Sequence, residues 1–321
     1  ETITEKQSYK KHILVMTSQP YVTEWFSSLN ETLRNEMSAF LTPDSKISYE
    51  YIGSDSQYDA DYRIKQTELL NRKYASMNID MVIAILPTSC GFLLQDNSHF
   101  FPSVPAIFVL PSQDQMEMVS RRPRSGAVRS SSTAIPDSIE RIRTLLPETN
   151  LLIVVSGSGA EDLYYQRITQ ETLKRKGWTG KVEYLQGLPA EALAARFEYL
   201  PEQSAIFMLT YLQDAYGKPL TTVHVMDVAS KKSAAPIFGF YDTIMGHGIV
   251  GGKLTSTEAY GSAIAETALK LFQQEKASPL IVTVAQPRDI YDWRQLDKWR
   301  IPKNRLPAGS EIRFQQIPFW R

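Results

Sequence analysis

The chain has 321 residues, 43% hydrophobic and 22% charged, and its 35 basic and 35 acidic side chains cancel. That is ordinary globular composition, at a length that suits two domains. A neutral chain lacks the basic excess of a dedicated nucleic-acid surface, and a single cysteine, Cys90, excludes an intrachain disulfide.

The first ten residues are polar and read as a lead-in. His12–Thr17 (HILVMT) is continuously apolar, as a strand buried on both faces is. From Tyr21 to Phe40, the residues Trp25, Phe26, Leu29, Leu33, Met37 and Phe40 recur at spacings that make one helix face. Ile47–Ile52 alternates like a strand, and Asp61–Ser76 is a weaker helix. Met81–Leu86 (MVIAIL) and Ala106–Leu110 (AIFVL) are buried strands, each closed by a proline. Strand, helix, strand, helix, strand is the signature of a parallel α/β half-molecule.

The pattern then restarts. Asp137–Leu146 is a helix opened by a capping-box pair, Asp137 and Glu140. Leu151–Val155, Lys181–Leu185, Ala205–Thr210 and Pro236–Phe240 read as strands; Glu161–Lys176, Ala190–Tyr199 and Thr257–Gln274 read as helices. Ile281–Val284 is a late strand and Asp289–Trp299 a short amphipathic segment. No apolar run reaches the roughly 18 residues of a membrane span. The start at Glu1 rather than Met reads as a processed or trimmed fragment.

In open α/β sheets, ligands sit outside the carboxyl ends of the strands. There the first half carries Ser18, Gln19, Tyr21 and Trp25, then Thr88 and Ser89; the second carries Ser156 and Ser158, Tyr211 and Asp214, then Tyr241 and Asp242. These are the candidate ligand-binding residues. Hydroxyls at a helix start suit a ligand carboxylate, and aromatics can stack on a ligand. A carboxylate accepts charge-assisted bonds from an ammonium or a sugar hydroxyl. Each has a plainer alternative as a cap, a turn or a packing residue. The run VSGSGA around Ser158 reads either as a simple turn or as an anion nest, with Glu161 and Asp162 opposing the anion.

Catalytic vocabulary is sparse. The four histidines, His12, His99, His224 and His247, show no metal-ligand spacing. VSGSGA is neither a nucleophile elbow nor a phosphate loop. Cys90, beside an apolar strand, reads as a packing residue. No cofactor or metal is expected, and an α/β enzyme using a cleft Asp or His is the weaker reading.

The stretch APIFGFYDTIMGHGIVGGKLTSTEAYGSAIAETALKLF resembles the closing segment of ABC-transporter-type substrate-binding proteins of the type I periplasmic-binding fold. With DWRQLDKWRIPKNRLPAGSEIRF near the end and HILVMTSQPYVTEWFSSLNETLRNEM near the start, the chain looks most like the extracytoplasmic sensor domain of bacterial sensor histidine kinases, and of some diguanylate cyclases. The resemblance runs from His12 to Phe314, with the Gly246–Gly252 and Leu306–Ser310 blocks its most specific parts. It implies two Rossmann-like lobes with parallel sheets: 12–128 with 252–281, and 129–251 with 282–305. A tail, 306–321, would lead toward a membrane. Three crossings near Gly126–Ser131, Gly248–Leu254 and Ile281–Pro287 would form the hinge, with the glycine block as its cleft floor. It further implies a small polar or amino-acid-like ligand, signalling by hinge closure, a periplasmic location and a transmembrane helix outside the fragment. No nucleic acid is implied; a homodimer stays open, and so does the alternative of a transporter's substrate-binding component. Any kinase or cyclase activity would lie outside these residues.

Overall fold

The structure, a computed structural model, describes residues 8–18, 23–53, 59–95, 103–130, 134–273, 279–284 and 286–315. In chain order its elements begin β1 (His12–Thr17), α1 (Glu24–Met37), β2 (Lys46–Tyr51), α2 (Ala60–Tyr74), β3 (Met81–Ile85), α3 (Pro87–Leu94), β4 (Ala106–Val109), α4 (Gln113–Arg121) and β5 (Ser125–Arg129). They continue with α5 (Ala134–Leu145), β6 (Leu151–Ser156), α6 (Ala160–Arg175), β7 (Lys181–Gln186), α7 (Ala190–Glu198), β8 (Ser204–Met208), α8 (Thr222–Ala229) and β9 (Ile237–Phe238). The last are β10 (Ile249–Leu254), α9 (Thr257–Gln273), β11 (Leu280–Thr283), β12 (Arg288–Asp292), α10 (Trp293–Lys298) and β13 (Glu311–Arg313).

They form two compact units. Unit 1 is Glu1–Ser130 with Thr257–Ala285; unit 2 is Ser131–Ser256 with Gln286–Arg321. The unit 1 sheet runs β11-β5-β4-β3-β1-β2 and every pairing is parallel. Strand side chains alternate between faces, which explains the unbroken apolar run of β1. Ile13 and Val15 join the core with Phe26, Leu29 and Leu33 of α1 and Ile264 and Ala268 of α9. Leu14 and Met16 join the opposite core with Leu70 and Tyr74 of α2 and Phe92 of α3. Helix α1 starts where the Thr23 side chain accepts from the Phe26 amide. Each leucine it buries contributes about 1.5–3 kcal/mol.

The unit 2 sheet runs β13-β12-β10-β9-β8-β6-β7, with β10 and β12 antiparallel and the other pairs parallel. An ionic cluster ties α5 to this sheet. Asp289 accepts from Arg141 Nε at 2.6 Å and from Lys253 Nζ at 3.0 Å. Burial works to raise the Asp289 carboxyl, but Arg141 and Lys253 outweigh it and hold the group below its ordinary value. Beside it, the Ser138 hydroxyl donates to the Lys253 carbonyl and accepts from the Lys253 amide.

Three expected boundaries differ. The crossing expected near Gly248–Leu254 falls between Ser256 and Thr257, because Ile249–Leu254 is β10, inside the unit 2 sheet. Its glycines serve close packing. A Cβ on Gly251, whose φ is 138°, would come within 2.1 Å of the Ile290 carbonyl oxygen. Residues 282 and 283 belong to unit 1, because β11 pairs with β5. The expected tail is folded as far as β13, which pairs with β12; residues 316–321 lie outside the described residues.

Candidate functional site

In unit 1 the carboxyl edge of the sheet holds three loops. After β1, Thr17 and Ser18 are buried. After β3, Leu86 takes a left-handed φ of 75° and hands the chain to α3 through Pro87 at the first helical position. No side chain caps this helix, so the amides of Thr88 and Ser89 keep no helical acceptor. Thr88 is buried, and Ser89 is fully buried with its Oγ lacking a hydrogen-bond partner among the described residues. A buried hydroxyl in that state costs about 1–3 kcal/mol unless something satisfies it.

The neighbouring loop braces this one. After β4, Ser112 and Gln115 form a capping box at α4, and Gln115 Nε2 donates to the Pro87 carbonyl at 2.8 Å. Trp25 is half-buried, edge-on to Tyr260 at 6.2 Å. Cys90 is packed at the same edge. Its thiol donates to the Ala84 carbonyl, and burial pushes it far above its ordinary pKa, so it offers no thiolate. Gln19 and Tyr21 lie outside the described residues.

Unit 2 is built differently at the same edge. The turn after β6 has its amides occupied: Gly157 donates to the Thr210 carbonyl at 3.0 Å, Ser158 to the Gln213 carbonyl at 2.8 Å and Gly159 to Asp162 Oδ2 at 3.1 Å. Of the two readings of VSGSGA, the structure gives the simple turn. Asp162 has no solvent exposure, and it also accepts the Leu212 amide on both oxygens at 3.1 Å. It therefore pins the β6–α6 turn to the loop after β8. Burial pushes the Asp162 carboxyl up to about 7; the Thr210 hydroxyl and the Leu212 and Gly159 amides pull the other way.

The expected unit 2 contacts fall on this same scaffold. Ser156 donates to Gln166 Oε1 at 2.6 Å. Ser158 Oγ donates to the Asp214 carbonyl. Tyr211 is fully buried, its hydroxyl on the Leu188 carbonyl and its amide on Thr222 Oγ1. Asp214 Oδ1 accepts the amides of Tyr216 and Lys218, each at 2.9 Å, and so closes a tight turn. These four side chains are engaged inside unit 2. Tyr241 is buried against Phe240 at 4.9 Å, and Asp242 opens a single 3-10 turn.

Sequence reasoning missed Asp162 and Gln115 as braces. Each stands at the third helical position after its cap, and that spacing was the available signal. Among the described residues, no group of three or more His, Cys, Asp or Glu side chains is placed to hold a metal ion. His247 pairs with Asp227 at 2.7 Å on the surface, and His12 with Ser48 at 2.8 Å.

Neither a scan of protein-family models nor a search of curated proteins gives a match. Solved structures do. An ABC domain in complex with L-Trp from Streptococcus pneumonia is similar at TM-score 0.68 and 13% identity, covering 95% of this chain and 100% of that one. The ligand-free, open structure of a substrate-binding protein with adhesive properties from Clostridium difficile is similar at TM-score 0.62 and 14% identity, covering 95% and 100%. An ABC transporter solute-binding protein from Burkholderia graminis, in complex with D-arabinose, is similar at TM-score 0.58 and 12% identity, covering 88% and 95%. These likenesses establish the fold, an α/β architecture like that of type I periplasmic binding proteins.

Proposed function

We propose that this chain is a small-molecule-binding domain whose polar anchor is the start of α3, and that its ligand is a small polar or amino-acid-like molecule with a carboxylate. The observation that carries this reading is the fully buried, unpartnered hydroxyl of Ser89, in a helix start that no side chain caps. A ligand oxygen there would satisfy Ser89 Oγ and the first amides of α3 together, in the favourable field of a helix N-terminus. Thr88, Trp25 and Ser18 complete the unit 1 contacts. The neighbours with L-Trp and D-arabinose make a small polar ligand a natural class for this fold.

On this reading the domain is extracytoplasmic and belongs to a membrane-anchored signalling protein, and ligand shifts a hinge equilibrium at the three chain crossings. A transporter's substrate-binding component is the second reading, favoured by the named activities of those neighbours. The gene separates the two: an apolar run of about 20 codons after Arg321 supports the sensor, and a stop codon directly after it overturns the sensor. Binding itself is tested by a thermal-shift panel of amino acids, small carboxylates, sugars and nucleosides. A ligand at 100 times its dissociation constant adds about 2.7 kcal/mol. A saturable shift with carboxylate-bearing compounds supports the proposal; shifts confined to compounds without a carboxylate contradict it.

A further inference from the structure

At the opposite end of the sequence, α10 and the turn after it make a second concavity, wholly inside unit 2. It measures about 390 Å³ and is lined by Trp293, Leu296, Asp297, Arg300, Pro302 and Lys303 among others. Residues 293–305 hold five basic side chains, Arg294, Lys298, Arg300, Lys303 and Arg305, against one acidic, Asp297, in a chain whose net charge is zero. Several of these have internal duties: Arg294 pairs with Asp292, and Arg305 donates to the Leu145 carbonyl. Arg300 and Lys303 are exposed and form no ion pair with any described residue.

The last described strand, β13, lies next to α10. Strand β13 is parallel to β12 with Arg313 opposite Asp292, the residue just before α10. Phe314 then lies under the Arg294 guanidinium, 4.2 Å from ring centroid to charge, and a Cβ added at Gly246 would come within 3.1 Å of its ring. Phe314 therefore lies at the end of the unit that displays Trp293, Arg300 and Lys303.

We propose that this concavity is a docking site for the phosphodiester headgroup of an anionic membrane lipid. Arg300 and Lys303 hold the phosphate. Trp293 sits at the headgroup level, where an indole with one apolar and one polar side is favoured. Leu296 and Pro302 supply an apolar floor. Asp297 lies in the same concavity and opposes the anion, which leaves the charges that line it at a net of one positive and makes binding reversible and salt-sensitive. The orientation draws on the proposed membrane attachment; the docking itself is a property of unit 2 and is read separately from any ligand at α3.

The test is flotation of the 321-residue chain with vesicles of equal parts phosphatidylglycerol and phosphatidylcholine, against vesicles of phosphatidylcholine alone. The expected result is binding to the anionic vesicles only, weakening as salt rises. The double variant Arg300→Glu, Lys303→Glu should lose about tenfold or more in affinity. The surface control Lys231→Glu, Lys232→Glu, with the same change in net charge, should keep wild-type binding. Melting temperatures of both doubles verify that they fold. Failure to bind anionic vesicles overturns the proposal, as does equal loss in the two doubles or equal binding to both vesicle types. Competition by millimolar glycerol 3-phosphate that abolishes vesicle binding would also overturn it, assigning the site to a free phosphate instead.

Discussion

The carboxyl edges of the two sheets solve the same problem in opposite ways. In unit 2 the polar groups close on one another: Asp162 holds the amides of Gly159 and Leu212, Asp214 holds those of Tyr216 and Lys218, and the Ser158 hydroxyl meets the Asp214 carbonyl. In unit 1 the corresponding helix start is uncapped, and Ser89 Oγ is buried without a partner. Buried polar groups are almost always satisfied in folded proteins; among the described residues of the two edges both Ser89 Oγ and Thr210 Oγ1 lack a hydrogen-bond partner, and of these two Ser89 is the one that stands at an uncapped helix start. The same type of edge thus gives a braced scaffold in one unit and an acceptor-seeking site in the other. Sequence composition, which is rich in hydroxyls at both edges, does not distinguish them.

If unit 2 is the braced edge, breaking its central brace should cost most. Asp162→Ala leaves two buried amides without an acceptor and should destabilise the chain by about 2–4 kcal/mol in urea unfolding. Hydrogen exchange at the Leu212 amide should accelerate in that variant; unchanged exchange would show that Asp162 does not hold this loop. Gly157→Ala attacks the brace from the other side, because its Cβ would stand 2.1 Å from Asp162 Oδ2 and 2.7 Å from the Gln213 carbonyl oxygen. A loss of about 1–3 kcal/mol is expected, as for other overpacked sites.

Acidity sharpens the comparison, since only the unit 2 edge contains a fully buried carboxyl among the described residues of the two edges. Burial raises Asp162 from 3.8 to about 7 in the folded state. The folded chain then keeps a proton that the unfolded chain releases. Its stabilising effect is fully present at acid pH and fades as pH rises through the window between those values, with a slope of up to about 1.4 kcal/mol per pH unit. Comparison of the wild type with Asp162→Asn across that window isolates this contribution; parallel curves would contradict it. Smaller still is Ser156→Ala, which strips Gln166 of its partner and should cost about 1 kcal/mol. The smallest change in stability belongs to Ser89→Ala. Removal of an unpartnered hydroxyl should leave the melting temperature unchanged or slightly higher, a result opposite in sign to the unit 2 variants.

Much of this molecule was legible before its structure. HILVMT, MVIAIL and AIFVL announce strands because both faces of a parallel sheet are covered, and α1 announces itself through Phe26, Leu29, Leu33 and Met37 on one face. The glycine block was ambiguous because glycine marks both hinges and close contacts; the pairing of Gly251 with Tyr291 of β12 shows a close contact there. Helix α3 could be read only as a helix start at Thr88 and Ser89, because PTSCGFLL is short and apolar nearly all round, so it has no period to show its extent. The Thr88–Ser89 pair could be nominated from its place after a strand. What sequence could not tell is which hydroxyls are occupied: Ser156 and Ser89 look alike until Gln166 is found beside one and, among the described residues, no hydrogen-bond partner beside the other.

The most direct test of the central claim is the ligand panel run in parallel on the wild type and on Ser89→Ala. A carboxylate-bearing ligand should raise the melting temperature of the wild type. In the Ser89→Ala variant the ligand-free melting temperature should hold while the ligand-induced shift shrinks, by an amount equivalent to about tenfold in affinity. A full-sized shift in Ser89→Ala would contradict the account, placing the ligand somewhere other than the start of α3.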